Sequence, residues 1–339
     1  MREVKKTINQ IKLFCLKLVN SILALLSNRY GFKKQEIAYF NSYSESLCVN
    51  NLGGAVIAMF DGRQIHCGLT DRLIGICTAY EFSKRLNLRF YILFKTPFDI
   101  TNYLLPNKVN WTLNENDVVY NRNAAVPVFL NNWQSLTAFH WFYLKRIAAK
   151  NPSKQLHLYI NSPFHLKQYR SNFNILFKKS PLLNISIANS IVQLGSPSFV
   201  AMAFRFAGIL GDLKEDYTSF KRLDEQEQDI LIKRCEKKVL QIRRDLDIRE
   251  RLLITADSEK FINYIKKYDF TYVTPGGVAH IDNSHKKRED TYLKVFVDLF
   301  MLSQSRIIYQ LNTGGMYKES GFARQASQLS GVRYVQVNF

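Results

Sequence analysis

The chain has 339 residues, 47% of them hydrophobic and 13% aromatic, with 15 glycines and 8 prolines, a composition that excludes disordered, collagen-like and fibrous classes. Its 47 basic and 28 acidic side chains leave a net charge of +19, which implies attraction to polyanions such as nucleic acid, an anionic membrane or a phosphate-bearing substrate. Cys15, Cys48, Cys67, Cys77 and Cys235 are odd in number and form no CxxC pair, so neither a disulfide framework nor a zinc knuckle is indicated and a reducing compartment is expected.

Residues 1–34 carry Arg2, Lys5, Lys6, Lys12, Lys17, Arg29, Lys33 and Lys34 against Glu3 alone, so this tenth of the chain contributes +7 of the net charge. The apolar run from Ile11 to Leu26 is broken by Lys12, Lys17, Asn20 and Ser21, too early for a spanning helix, and no small-residue cleavage site follows it. A basic amphipathic helix is expected, with Ile11, Phe14, Leu18, Ile22 and Leu25 on one face. It would lie on an anionic leaflet, pack as an ordinary helix on the main fold, or, as the least favoured alternative, be removed as a signal.

Short apolar runs at Ala55–Phe60 and Gln64–Cys67 predict strands before a Gly-containing turn, and Leu73, Ile76, Cys77 and Tyr80 then fall at helical spacing. Leu88–Phe94 predicts a buried strand closed by Thr96-Pro97. From Pro106 to Lys154 the chain is aromatic and without a clear period, and no elements are assigned there. The loop Gly195-Ser196-Pro197 marks a domain boundary.

Beyond it the pattern is regular. Predicted strands at Phe199–Phe206, Leu252–Thr255, Phe270–Val273, Arg306–Leu311 and Val332–Val337 alternate with helices, among them a long amphipathic one carrying Ile232, Cys235, Val239, Ile242 and Leu246. Shorter helices are expected near Ser258–Lys267, Asp290–Ser303 and Gly321–Leu329. Such alternation predicts an α/β fold whose second half is a doubly wound parallel sheet of about five strands. The first half begins in the same way, and ligands are expected at the carboxyl ends of the strands.

Three turns there carry candidate chemistry. In His66-Cys67-Gly68-Leu69-Thr70-Asp71-Arg72, Gly68 allows close backbone approach, the first-turn amides face an incoming anion, and Arg72 adds a permanent charge. His66 either faces the cleft or ends its strand. Arg205 interrupts the apolar strand in Phe204-Arg205-Phe206, ahead of Gly208 and Gly211-Asp212, and its fork suits a diphosphate. The loop from Asn312 to Phe322 leaves a strand and opens a helix near Gly321, where amides and the Ser320 hydroxyl suit a phosphate. Asp257 would cap a helix or touch the ligand. Two patterns are set aside: Asp245-Leu246-Asp247 mimics a DxD metal site but belongs to a charged helix face, and His280, Asp282 and His285 read as polar loop residues rather than metal ligands. No GxxxxGK[ST] or GxGxxG motif is present, so nucleotide hydrolysis and nicotinamide chemistry have no support.

Taken together these segments resemble the fucosyltransferase superfamily, which includes the bacterial α-1,2-fucosyltransferases and the rhizobial nodulation fucosyltransferase. The run from Gly68 to Ala79 is similar to its Gly-rich amino-terminal motif, with Thr70 in place of the second glycine. Phe204-Arg205-Phe206 with Gly211-Asp212 is similar to its His-Arg-Arg segment, with Phe204 in place of the histidine. Asp298–Ser303 followed by Ser320-Gly321-Phe322 resembles its carboxyl-terminal pattern. The chain also has the look of glycosyltransferases from bacterial polysaccharide loci.

The resemblance implies a glycosyltransferase-B architecture of two Rossmann-like domains, here an acceptor-side domain at residues 35–195 and a nucleotide-sugar domain at 196–339. It implies inverting transfer from a nucleotide sugar, GDP-linked and often GDP-fucose, to a carbohydrate hydroxyl of a surface glycan or its lipid-linked precursor, with no required metal or cofactor. Arg205, Arg72, Gly68, His66, Asp257, Ser320, Gly321 and Phe322 are then expected around the donor, with His280 or Asp282 near the base. A carboxylate must deprotonate the acceptor, and Asp71, Asp212 and Glu215 are the candidates. The expected location is the cytoplasm, at the inner face of the plasma membrane through residues 1–34. The rival reading is a basic, non-catalytic protein that docks nucleic acid or anionic lipid; the thin spread of charge outside residues 1–34 counts against nucleic acid.

Overall fold

A computed structural model describes residues 52–64, 66–130, 136, 138–163, 166–213, 221–278, 281, 289–318 and 320–339. The basic segment 1–34, Glu215, His280, Asp282 and His285 lie outside the described residues.

The architecture is α/β, built on two parallel sheets, as the alternating pattern predicts. In the first sheet β1 (Ala55–Phe60) and β5 (Gln155–Ile160) are central, flanked by β2 (Arg89–Phe94) and β4 (Ala125–Leu130), in the order β2-β1-β5-β4. Every residue of β1 and β5 is buried, as befits parallel strands covered on both faces; β1 is a continuous apolar run, whereas β5 carries Gln155 and His157, whose side chains bond each other. The crossover from β1 to β2 is helix α1 (Leu69–Leu86), which places Leu73, Ile76, Cys77 and Phe82 in the core. Its Gly75 sits directly on the Ile160 carbonyl at the end of β5. Helix α2 (Ala138–Lys150) joins β4 to β5.

Gln64–Cys67 is not the strand its composition suggests. The described residues there form the loop between β1 and α1, and the carbonyls of His66 and Cys67 bond the Arg72 guanidinium instead of a neighbouring strand. A two-stranded antiparallel pair, β3 (Leu104–Pro106) with β6 (Phe177–Lys179), lies beside α3 (Tyr169–Leu176). Helix α4 (Pro181–Leu194) then leads to the second sheet. It is opened by Ser180, whose Oγ accepts from Leu183 N at 3.2 Å, has Pro181 in its first turn, and is closed by Gly195 at φ +83°.

The second sheet has five parallel strands in the order β11-β10-β7-β8-β9: β7 (Val200–Phe204), β8 (Leu252–Ala256), β9 (Thr271–Tyr272), β10 (Ile307–Asn312) and β11 (Arg333–Asn338). Its crossovers are α5 (Glu225–Asp245), α6 (Glu259–Ile265), α7 (Glu289–Gln304) and α8 (Gly321–Ser330). Asp224 and Glu227 form a reciprocal capping box at the start of α5. The DxD look-alike falls at the end of that helix, where the exposed Asp247 pairs with Arg249 at 3.1 Å.

The halves are joined by apolar packing. After β2, Phe98 packs tilted against Tyr292 of α7 at 4.8 Å and Tyr103 stacks on Phe296 at 4.5 Å between ring centroids. Helix α8 packs on α1 and α3, and α4 packs on α7. One continuous buried cluster therefore runs from the first sheet to one face of the second, while the other face, with α5 and α6, has a core of its own.

Candidate functional site

The turns after β1, β7, β8 and β10 all leave carboxyl ends of parallel strands, where open α/β sheets hold ligands because strand ends and helix amino termini leave backbone groups unpaired. In this chain two of those helix amino termini meet across the halves. A methyl group placed on Gly321, the first residue of α8, would lie 4.0 Å from Thr70 Oγ1 in the first turn of α1. Gly68, which caps α1, and Ser320, which caps α8, make no side-chain cap bond. Each helix end contributes a partial positive charge of about half a unit, so their convergence favours an anion. Gly314 and Gly315, in the loop before α8, have open space where a side chain would stand.

Arg205 directly follows β7, and its carbonyl accepts from Tyr317 N at 3.1 Å, which ties it to the loop that leads to α8. Its Nη1 donates to Asp257 Oδ2 at 2.6 Å, while the Asp257 carboxylate also accepts from Phe206 N at 2.6 Å and Ala207 N at 2.8 Å. Asp257 thus fixes the turn at the end of β7 and orients Arg205, and it does not cap the following helix. That cap is Ser258, whose Oγ accepts from Phe261 N at 3.1 Å.

Asp212 has the same structural use. Its Oδ2 accepts from Ser258 Oγ at 2.7 Å and Lys260 N at 2.8 Å, so this carboxylate is committed to the start of α6 rather than poised over an acceptor. Asp71, half-buried in the first turn of α1, stands at the helix end that meets α8.

Arg72 differs from expectation. It is 4% exposed and gives its donors to carbonyls: Nε to Cys67 at 2.8 Å, Nη1 to Thr96 at 2.9 Å and Nη2 to Ile281 at 2.9 Å. A guanidinium so engaged cannot turn its fork to a diphosphate without breaking these bonds. It shapes the turn before α1 and joins it to the loop beyond β9. Phe322 likewise packs against the shared apolar core.

His66 is buried beside Phe60, with Nδ1 2.7 Å from the Asn161 side-chain amide, and its Nε2 has no hydrogen-bond partner among the described residues. Asn161 and Ser162, at the end of β5, are polar neighbours that carry no motif, and only the parallel pairing of β1 with β5 brings them to this turn. Asp298 is buried too. Lys294, one helical turn earlier, donates to its Oδ2 at 2.8 Å and to Thr274 Oγ1 at 2.7 Å, locking α7 to the end of β9. The i,i+4 spacing of Lys294 and Asp298 is the sequence signal that could have found that pair.

Burial, with help from the nearby positive charges of Arg72 and Arg63 respectively, lowers the imidazole pKa of both His66 and His157 to about 3. In the unfolded chain both take a proton near pH 6.5, so the stability they contribute is fully present above that value and is lost as pH falls towards 3. Going from pH 7 to pH 5 is expected to cost about 2 kcal/mol for each histidine. Urea titrations at the two pH values should give a flatter profile for the His66→Gln/His157→Gln double variant. Equal slopes would mean that the folded protein accepts these protons.

No protein-family model and no curated protein matches the sequence. Among solved structures the chain is similar to fucosyltransferase NodZ from Bradyrhizobium, at 10% identity and a TM-score of 0.48 over 81% of this chain and 92% of that one. It is similar also to a mutant of Arabidopsis thaliana FUT1 in complex with GDP, at 8% identity and a TM-score of 0.49 over 89% and 74% of the two chains. A third is POFUT1 in complex with GDP, at 10% identity and a TM-score of 0.48 over 86% and 99%.

Proposed function

We propose that the chain is a glycosyltransferase that moves a sugar from a nucleoside diphosphate donor, GDP-linked, to a carbohydrate hydroxyl, fucose being the sugar that the sequence resemblance implies. The observation that carries this reading is the meeting of the α1 and α8 amino termini, Thr70 against Gly321, at strand ends that also bear Arg205.

Cleavage of the bond between the anomeric carbon and the donor's terminal phosphate leaves extra negative charge on the departing diphosphate. Two helix dipoles and a guanidinium already oriented by Asp257 would stabilise that charge as it develops, without reorganising in the transition state. The acceptor hydroxyl attacks the anomeric carbon from the opposite face, which inverts its configuration, and its proton passes to a carboxylate. Asp71 is our choice for that base, because it stands at the helix end facing α8 whereas Asp212 is held by α6. Neither a metal nor a further cofactor is required by this scheme. The acceptor we favour is a surface glycan or its lipid-linked precursor.

Melting the protein with GDP, UDP, CMP and dTDP tests the reading, since a ligand that binds only the native state raises the transition temperature. GDP is expected to give the largest rise. Stabilisation by UDP alone would overturn the GDP assignment, and a response to none of the four, together with salt-steep binding of nucleic acid, would favour the non-catalytic rival.

A further inference from the structure

We infer that helix α2 is a docking surface for an anionic phospholipid leaflet, a site separate from the donor turns and independent of the sugar chemistry. Its buried side is ordinary: His140 and Leu144 enter the core, and Trp141 stacks on Phe82 of α1 at 5.8 Å. The opposite side is not. Phe139, Phe142 and Tyr143 are 39%, 66% and 39% exposed, and with Arg146 and Lys150 they recur at steps of one, three and four residues, so they share one face of the helix.

Among the described residues the exposed charge on this helix has one sign. Lys145, Arg146 and Lys150 are exposed, α2 contains no acidic residue, and Arg85 of α1 lies over the Trp141 ring at 5.6 Å. The acidic group near that edge, Glu81, is buried and already paired with Lys84 and Arg85, each at 2.9 Å. Leaving Phe142 and the outer edges of Phe139 and Tyr143 exposed is unfavourable, and a cationic rim discourages burial against a second copy of the same positive surface. Aromatic rings flanked by lysine and arginine instead match the interface of a negatively charged bilayer, where rings settle at headgroup depth and the cations meet phosphate.

Residues 1–34 carry a basic apolar pattern of their own, so bulk vesicle binding alone would not discriminate. The test therefore reports from the helix. In the full chain with Cys15→Ser, Cys48→Ser and Cys67→Ser, Phe142→Cys labelled with an environment-sensitive fluorophore is mixed with phosphatidylcholine vesicles with or without phosphatidylglycerol. Ile230→Cys, an exposed position on α5, is the control. A blue shift at position 142 is expected on the anionic vesicles and not on neutral ones, with little change at 230, and Arg146→Glu with Lys150→Glu should weaken it roughly tenfold or more. Vesicle binding with a silent label at 142, or equal shifts at both positions, would overturn the inference. So would a shift that grows with protein concentration without lipid, the mark of self-association. None of these outcomes depends on GDP or on transfer activity.

Discussion

Replacing Arg205 with alanine is expected to weaken GDP binding by roughly 10- to 100-fold, the loss of one charge-assisted contact to a diphosphate, while costing only about 1 kcal/mol of stability. The asymmetry follows from the surroundings. Asp257 loses one of its three donors in the variant but keeps the amides of Phe206 and Ala207, so the turn that ends β7 remains anchored. Arg205→Lys retains the charge without the planar fork and should fall between the wild type and alanine. Calorimetric titration with GDP, paired with urea unfolding, separates affinity from stability. Full GDP affinity in the alanine variant would remove Arg205 from the donor site.

Gly75→Ala should unfold the protein or come close to it. A methyl group at this position would fall inside the van der Waals envelope of the Ile160 carbonyl oxygen, 2.7 Å from the carbonyl carbon and 3.1 Å from Asn161 Cα, all of them backbone atoms of the central strand and its turn. The helix cannot retreat without lifting Leu73, Ile76 and Ala79 out of the core. We expect a loss of at least about 3 kcal/mol, well above the roughly 1 kcal/mol that alanine gains over glycine in a helix. Gly315→Ala, where the new methyl group meets open space, is the control and should leave stability nearly unchanged. Equal urea midpoints for the two variants would refute this account of the close contact between α1 and β5.

How much of this was legible in the sequence depended on how cleanly burial alternated with exposure. Beyond Gly195 the central strands β7, β8 and β10 are short, largely apolar runs between helices, and the predicted segments at residues 252–255 and 306–311 lie within a residue of β8 and β10. The stretch 106–154 resisted because its signals conflict. β4 contains Pro127, which lacks an amide hydrogen and is tolerated at the sheet edge where β4 lies. Helix α2 is aromatic on its exposed face as well as its buried one, which erases the period that would betray it. α4 is blurred in the same way, with Leu182, Ile185 and Val192 facing outward.

At the candidate site, residue types were legible and pairings were not. Arg205 was visible because a guanidinium inside an apolar strand needs a reason, yet its partner Asp257 is 52 residues away and becomes a neighbour only through the parallel pairing of β7 with β8. Arg72 misled for the complementary reason. Beside Gly68 it suggested an anion site, but its partners are main-chain carbonyls, which leave no trace in side-chain pattern. The approach of Thr70 to Gly321 depends on how the two sheets are packed together, beyond the reach of any local period.

The aromatic contact of Phe98 and Tyr103 with Tyr292 and Phe296 bears on how far the two halves can part. Lobes hinged on a wet seam can swing apart and trade ligands freely, whereas here a wide swing would pull rings out of a dry, shared interior. Entry and exit of a ligand then fall to the turns at the strand ends, and damage to the seam on either side is felt by both sheets at once.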